Sequence, residues 1–325
     1  MIKDRLFPVL IGLALLPALC SAQEPNAKFL PERGRLLIVG QQPDVIDDYV
    51  REVGVVPGGV MVYTSVQLAD GLDAPVDHGG GVQHAQYLVE KYPDTAVQVG
   101  LYMVGVLDEV LAGDHDEQVR KLAGWLKQAD RPVYLRIGYE FDHKDNAYDP
   151  GKYRQAFRHI VDRLRDEGTD NVAYVWHTAA AAGHAGNFLD WYPGDDYVDW
   201  FAVSFFDTQQ MATVEKFADL ARRHGKPLMI AEATPAGRYT VRGRKEWFGK
   251  FFDLIRRLDV RAVCYINSPW DTYPMFKGQK WGDARVQAAP EIKALWLQEI
   301  ASGDYLQSSP DLFWSLSYRP KDLKQ

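Results

Sequence analysis

The sequence predicts a single-domain α/β fold, a (β/α)8 TIM barrel. Three observations predict it. Eight β-rich runs recur along the 325 residues, amphipathic helical patterns lie between them, and the runs are almost continuously apolar, as expected of parallel strands covered on both faces. Eight such units in about 300 residues fall within the usual size of that fold. A doubly wound open sheet is the alternative. It ordinarily carries a glycine-rich phosphate turn after its first strand, and Val39-Gly40-Gln41-Gln42-Pro43 is not one.

In chain order, Met1 to Ala22 reads as a secretory signal. Lys3 and Arg5 supply the positive start, Leu6 to Leu19 the short apolar region, and Cys20-Ser21-Ala22 the small-residue cleavage site. The bulky Leu19 before Cys20 fits lipoprotein processing poorly. The expected organisation is therefore a signal over 1–22, a (β/α)8 barrel over 23–302 and a tail over 303–325 packed on the barrel. Strands are expected at Leu36–Gly40, Val60–Ser65, Ala96–Val104, Pro132–Glu140, Asn171–Thr178, Trp200–Asp207, Pro227–Thr234 and Val260–Asn267. The clearest helices place Tyr153, Phe157, Ile160, Val161 and Leu164 on one face, and Trp247, Phe251, Leu254, Ile255 and Leu258 on another. Further helices are expected over Glu117–Gln128, Val214–Arg223 and Pro290–Ser302, and the glycines 79–81 read as a mobile loop after the second strand.

Composition narrows the function. With 37 Lys+Arg against 44 Asp+Glu, a net charge of −7 and no long basic run, the chain is a poor nucleic-acid binder. Nine Trp and seventeen Tyr suit hydroxyl-rich ligands that stack on rings, although aromatics also fill cores. No stretch beyond the signal approaches the ~20 apolar residues of a spanning helix, so no stable membrane insertion is expected. An exported protein, periplasmic or extracellular and monomeric, follows as the expectation. Signal removal leaves Cys264 alone, with no partner for an internal disulfide.

A barrel carries its chemistry at the carboxyl ends of its strands. Glu140 ends one run, where alternation puts Arg136, Gly138 and Glu140 on one face; Glu232 ends Leu228-Met229-Ile230-Ala231-Glu232, with Leu228 and Ile230 on its own face. An ionisable group at the end of a buried strand is costly unless something pairs or uses it. Two carboxyls meeting across a barrel mouth are what glycosidic bond cleavage needs: one protonated to assist the leaving oxygen, one ionised to attack. Each also has a plain structural reading, Glu140 as a partner of Arg136 and Glu232 as a helix cap or surface ion pair.

Arg136-Ile137-Gly138-Tyr139-Glu140 resembles the acid/base strand of glycoside hydrolase family 26, a family of retaining (β/α)8 glycosidases that includes β-mannanases. Tyr153–Val161, Asn171–Trp176 and Trp191–Trp200 resemble its next helix, strand and loop, and Lys226–Glu232 its nucleophile strand. The resemblance spans roughly residues 130 to 270, and Tyr192-Pro193-Gly194-Asp195-Asp196-Tyr197-Val198-Asp199-Trp200 is its most specific piece. It implies a secreted endo-β-glycosidase that works by double displacement, with Glu140 as acid/base and Glu232 as nucleophile. Such a pair calls for carboxyls about 5–5.5 Å apart. Two positions depart from the family. Tyr139 stands where the family usually has His, and Phe206 where a sixth-strand Tyr contacts the nucleophile, so the sugar need not be mannan.

Trp270, after the eighth strand, matches the clan's aromatic platform or else plugs the barrel end; Trp281 could add a second platform. His177 and Asp207, ending the fifth and sixth strands, are candidates for binding sugar hydroxyls or orienting a glutamate, with Tyr139 and Phe206 beside the substrate and Arg136 supporting. His177 reads equally well as a satisfied core histidine. The Asp142-His143-Lys144-Asp145 cluster is a weak metal signature, so no catalytic metal and no cofactor are expected. The expected partner is a β-linked polysaccharide: mannan, mixed-linkage glucan, xylan or an exopolysaccharide. A barrel that binds such a polymer without cleaving it is the rival reading.

Overall fold

The computed structural model describes residues 27–184 and 186–321. The signal reading of residues 1–22 lies outside them. Eight parallel strands form the barrel: β1 (Arg35–Gly40), β2 (Gly59–Ser65), β3 (Ala96–Tyr102), β4 (Val133–Ile137), β5 (Val172–Thr178), β6 (Trp200–Phe205), β7 (Leu228–Ala233) and β8 (Ala262–Ile266). Each pairs with the next, and β1 returns to β8 with Leu36 opposite Ala262 and Gly40 opposite Ile266, which closes the sheet. Closure removes every strand edge from the barrel wall.

Alternation along the strands sorts their side chains into two shells. Leu36, Ile38, Met61, Tyr134, Val175, Trp200, Ala202, Met229 and Cys264 fill the lumen, whereas Leu37, Val39, Val60, Val62, Leu135, Ile137, Phe201, Val203 and Val263 face the helices. Eight helices supply the outer layer: α1 (Pro43–Val53), α2 (Ala85–Lys91), α3 (Leu107–Ala112), α4 (Asp116–Ala129), α5 (Pro150–Asp166), α6 (Met211–Arg223), α7 (Val241–Arg257) and α8 (Pro290–Ile300). Local chemistry starts the longest two. Asp149 caps α5 by accepting from the Lys152 amide at 2.8 Å, with Pro150 in the first turn, and Thr240 caps α7 by accepting from the Gly243 amide at 3.0 Å. Their inward stripes are the ones the sequence spacing marks: Tyr153, Phe157, Ile160, Val161 and Leu164 on α5, and Trp247, Phe251, Leu254 and Ile255 on α7.

The amino-terminal end of the lumen is stoppered by both ends of the described chain. Tyr134 donates its hydroxyl to the Phe29 carbonyl at 2.7 Å, and the Trp200 indole donates to the Lys28 carbonyl at 2.8 Å. The tail adds Tyr305–Leu306 as a short parallel strand beside β1 and brings Leu312, Leu316 and Tyr318 against Phe29. The glycine-rich segment after β2 is not an open loop. It is a two-stranded hairpin, Val76–Asp77 with Val82–Gln83, pinned to the loop after β8 by the Met275 amide donating to the Gly79 carbonyl at 3.0 Å. No helix among the described residues is long and apolar enough to cross a membrane.

Candidate active site

Glu140 and Glu232 both open into one cleft of about 1120 Å³ at the carboxyl ends of the strands. That is larger than the roughly 300–1,000 Å³ of a typical small-molecule pocket. It suits several residues of a polymer.

Glu140 does not arrive there by strand alternation, as the sequence suggests. Strand β4 ends at Ile137, and the chain then turns through two left-handed residues, Gly138 at φ 54° and Glu140 at φ 52°. Position 138 admits only glycine in practice, since a Cβ there would lie 2.4 Å from the Met103 methyl and 2.9 Å from the Tyr153 ring. A glutamate in the left-handed region is strained and persists because its surroundings over-determine it. The Glu140 carbonyl accepts from the His143 amide and the Asn146 side chain, both at 2.9 Å, and the next amide, Phe141, donates to the His177 carbonyl at 3.0 Å.

Glu232 reaches the lumen through a bulge. Leu228 and Ile230 face the helices, not the lumen, while Met229 and Ala231 point inward; strict alternation would turn Glu232 outward. The register slips between Ile230 and Glu232 against both neighbours, where Ser204 stands opposite Glu232, and Glu232 turns inward. The Ala231 carbonyl at the slip accepts from the Gln98 amide at 2.8 Å, so the irregularity leaves no orphaned acceptor there.

Arg136, fully buried, is the partner of Glu232 and not of Glu140; its Nη1 donates to Glu232 Oε1. The Tyr63 and Tyr139 rings flank the guanidinium at 5.1 Å each. Tyr63 also donates its hydroxyl to Glu232 Oε1 at 2.8 Å. Phe206 therefore costs Glu232 no hydroxyl, because β2 supplies the one that the sixth strand lacks. Burial and the charge of Glu232 push the Tyr63 phenol well up from its ordinary range, which keeps it a donor. Replacing Tyr63 by Phe removes a hydrogen bond to a charged group, worth about 1.5–3 kcal/mol. The expected result is a roughly 10- to 100-fold fall in kcat/KM measured by steady-state hydrolysis; an unchanged value would show the phenol to be idle.

On the other wall, Ser204 donates to Glu140 Oε1 at 2.6 Å. Burial, then the neighbouring charge of Glu232, pushes the Glu140 carboxyl up to about 8; the Ser204 bond and Arg136 pull the other way. One carboxyl is thus held as an acid while the other lies against a guanidinium, the division of labour that acid-assisted nucleophilic cleavage requires.

His177 is the one predicted substrate contact that the structure removes from the cleft. It is completely buried, with Nδ1 3.3 Å from Arg136 Nη1 and Nε2 3.0 Å from Ser204 Oγ. The remaining candidates line the cleft. Trp270 is only 3% exposed, donates its indole N–H to Thr234 Oγ1 at 3.0 Å and packs beside Trp281 and Phe276. Trp281 in turn meets Phe206 edge-on at 5.2 Å. Asp207 sits at the rim, pairing with Arg238 at 2.8 Å and capping the Gln209 amide. Asp142 is occupied by the Thr178 hydroxyl, the Ala179 amide and His184.

Comparison with known proteins agrees with this geometry. The glycosyl hydrolase family 26 model matches residues 110–244. A β-1,3-xylanase, TXYA, from Vibrio sp is 34% identical over 346 aligned positions, covering 96% of this chain and 75% of that protein. The chain belongs to glycosyl hydrolase family 26. Family membership makes it a retaining glycoside hydrolase acting on β-linked polysaccharide. A β-1,3-xylanase from Alcaligenes sp is 33% identical across 95% of this chain and 72% of its own length. Among solved structures, a family 26 β-mannanase from Bacteroides ovatus shares the fold with a TM-score of 0.62 and 15% identity over 87% of this chain and 93% of that one. The family's acid/base and nucleophile strands, as the sequence resembles them, are β4 and β7.

Sequence reasoning missed Tyr63 and Ser204. Both lie at or near the carboxyl end of their strands, β2 and β6, so the rule that singles out Glu140 and Glu232 would have reached them had it been extended to hydroxyls.

Proposed function

We propose that this family 26 member is an endo-acting β-1,3-xylanase in which Glu232 is the nucleophile and Glu140 the acid/base. The observation that carries the substrate is the identity of 34% and 33% to two β-1,3-xylanases over nearly the whole chain. The cleft wall supports it. Trp270, Phe276, Trp281 and Phe206 present apolar rings, and the Trp281 indole N–H is already bonded to Gln279 at 3.1 Å. A pentose lacks the exocyclic hydroxymethyl that such a wall would leave without a polar partner.

In the first step Glu232 attacks the anomeric carbon as Glu140 gives its proton to the departing sugar oxygen. Ester formation then removes the negative charge of Glu232, the second cause that holds the Glu140 carboxyl up. Glu140 so becomes easier to ionise when it must take a proton from water. Arg136 and Tyr63 hold Glu232 aimed throughout. The protein is exported by its N-terminal signal and acts as a monomer on the polysaccharide, without nucleic-acid or membrane partners.

The test is product release from β-1,3-xylan, β-1,4-xylan, β-mannan and mixed-linkage β-glucan, with the anomeric configuration of fresh product read by NMR. Short oligosaccharides of retained configuration from β-1,3-xylan are the expected result. Hydrolysis of mannan with β-1,3-xylan untouched would refute the substrate, and inverted product would refute the mechanism.

A further inference from the structure

Between the two glutamates runs an unbroken line of polar groups, Glu232, Arg136, His177, Ser204, Glu140, whose middle three members have no exposed surface. We propose that Ser204, oriented by His177, is a positioning residue that decides which oxygen of Glu140 carries the proton given to the leaving sugar. The inference rests on Glu140 being the acid/base.

The direction of every bond in the line follows from its first member. A guanidinium has donors and no acceptor, so at 3.3 Å Arg136 Nη1 donates to His177 Nδ1. That nitrogen then carries no proton, and the ring proton sits on Nε2. Burial, and after it the charge of Arg136, holds His177 well below the ordinary histidine range, in keeping with a neutral ring. Nε2–H therefore donates to Ser204 Oγ at 3.0 Å, and the single hydroxyl proton of Ser204 is left for Glu140 Oε1 at 2.6 Å.

The reverse arrangement fails at Ser204. Were Oε1 protonated and donating, Oγ would accept from both sides and its own proton would have no acceptor, in a residue with no exposed surface. The acidic proton is thereby assigned to Oε2. This oxygen bonds to no protein group among the described residues, and its residue lines the cleft. The line thus loads the proton on the oxygen that faces the sugar. When Glu140 must act as base, the same Ser204 hydroxyl stabilises its carboxylate without occupying Oε2. The charged and titratable groups facing Glu140 are Glu232, Arg136 and Asp142, with Tyr139 beside them and His177 behind Ser204.

The experiment compares Ser204→Ala and Ser204→Thr with the parent enzyme over a full pH series on the polymer. Ser204→Ala is expected to lower kcat about tenfold or more and to move the basic limb of the profile to higher pH, because the hydroxyl's bond favours the ionised form. Ser204→Thr restores both. An unmoved limb overturns the proposal, whether kcat is intact or reduced, since a packing defect alone would lower kcat and leave the limb in place. His177→Phe, which keeps a ring but removes the orienting donor, is the second variant. It should show the same changes in smaller measure, and a parental profile there is equally fatal. Failure of the underlying assignment reads differently: azide would then not restore turnover of a nitrophenyl glycoside by Glu140→Ala.

Discussion

Replacing Glu232 by Gln is expected to lower kcat on the polymer by on the order of 10⁴-fold or more while leaving the protein folded. The choice of variant follows from what surrounds the carboxylate. Arg136 has no exposed surface, and its Nη1 is held by Glu232 and His177. Truncating one member of a buried ion pair leaves the other without counter-charge and without acceptor, and costs about 3–5 kcal/mol. Glu232→Ala therefore confounds chemistry with stability. Glutamine keeps an oxygen that accepts from both Arg136 and Tyr63 but cannot form a glycosyl ester that turns over. Expected together, then, are two inactive variants, both with a lowered unfolding midpoint and Ala with the lower of the two, because Gln loses the counter-charge to Arg136 but keeps the acceptor. Steady-state hydrolysis and thermal unfolding monitored by circular dichroism separate the two effects. A Gln variant within tenfold of the parent would remove Glu232 from the nucleophile's role.

That experiment also shows where sequence reading stops. The barrel was legible because its determinants are local and repeated: eight apolar runs, the capped and periodic α5 and α7, and the absence of a phosphate turn after β1. Helices α1, α2 and α3 escaped: none has a side-chain cap to mark its start, and α2 and α3 are also short, seven and six residues. The glutamates were legible as charges at the ends of apolar strands. The route by which each reaches the lumen was not. Alternation gives the wrong face for Glu232, since the slip around Ala231 is an insertion relative to neighbouring strands and exists only in their pairing. Likewise Gly138 hints at a turn but does not announce that Glu140 shares its left-handed conformation. Tyr63 lies 169 positions from Glu232, and Ser204 lies 64 from Glu140; only barrel closure makes neighbours of them.

Glu140→Ala should produce a loss whose size depends on the leaving group. Cleavage of the polymer, where a sugar alkoxide must be protonated as it departs, is expected to fall about 10²- to 10⁴-fold. A nitrophenolate leaves unaided, so the first step on a nitrophenyl glycoside should be nearly unaffected and the glycosyl-enzyme should accumulate as a burst followed by slow turnover. Azide, a nucleophile that needs no base, should then speed turnover and give the azide of retained configuration. The pH dependence supplies an independent check. Glu140 is pushed up to about 8 by burial first and the charge of Glu232 second, so the protonated acid predominates below that value. Activity of the parent enzyme on polymer should accordingly decline as pH rises through about 8, and that decline should vanish in Glu140→Ala. Its persistence in the variant would place the controlling proton on another group, and near-parental hydrolysis of polymer would deny Glu140 the acid's role outright. The burst and the basic limb follow from one arrangement: a half-buried carboxyl facing a second carboxylate, with the second carboxylate's charge present in the first step and absorbed into an ester before the second.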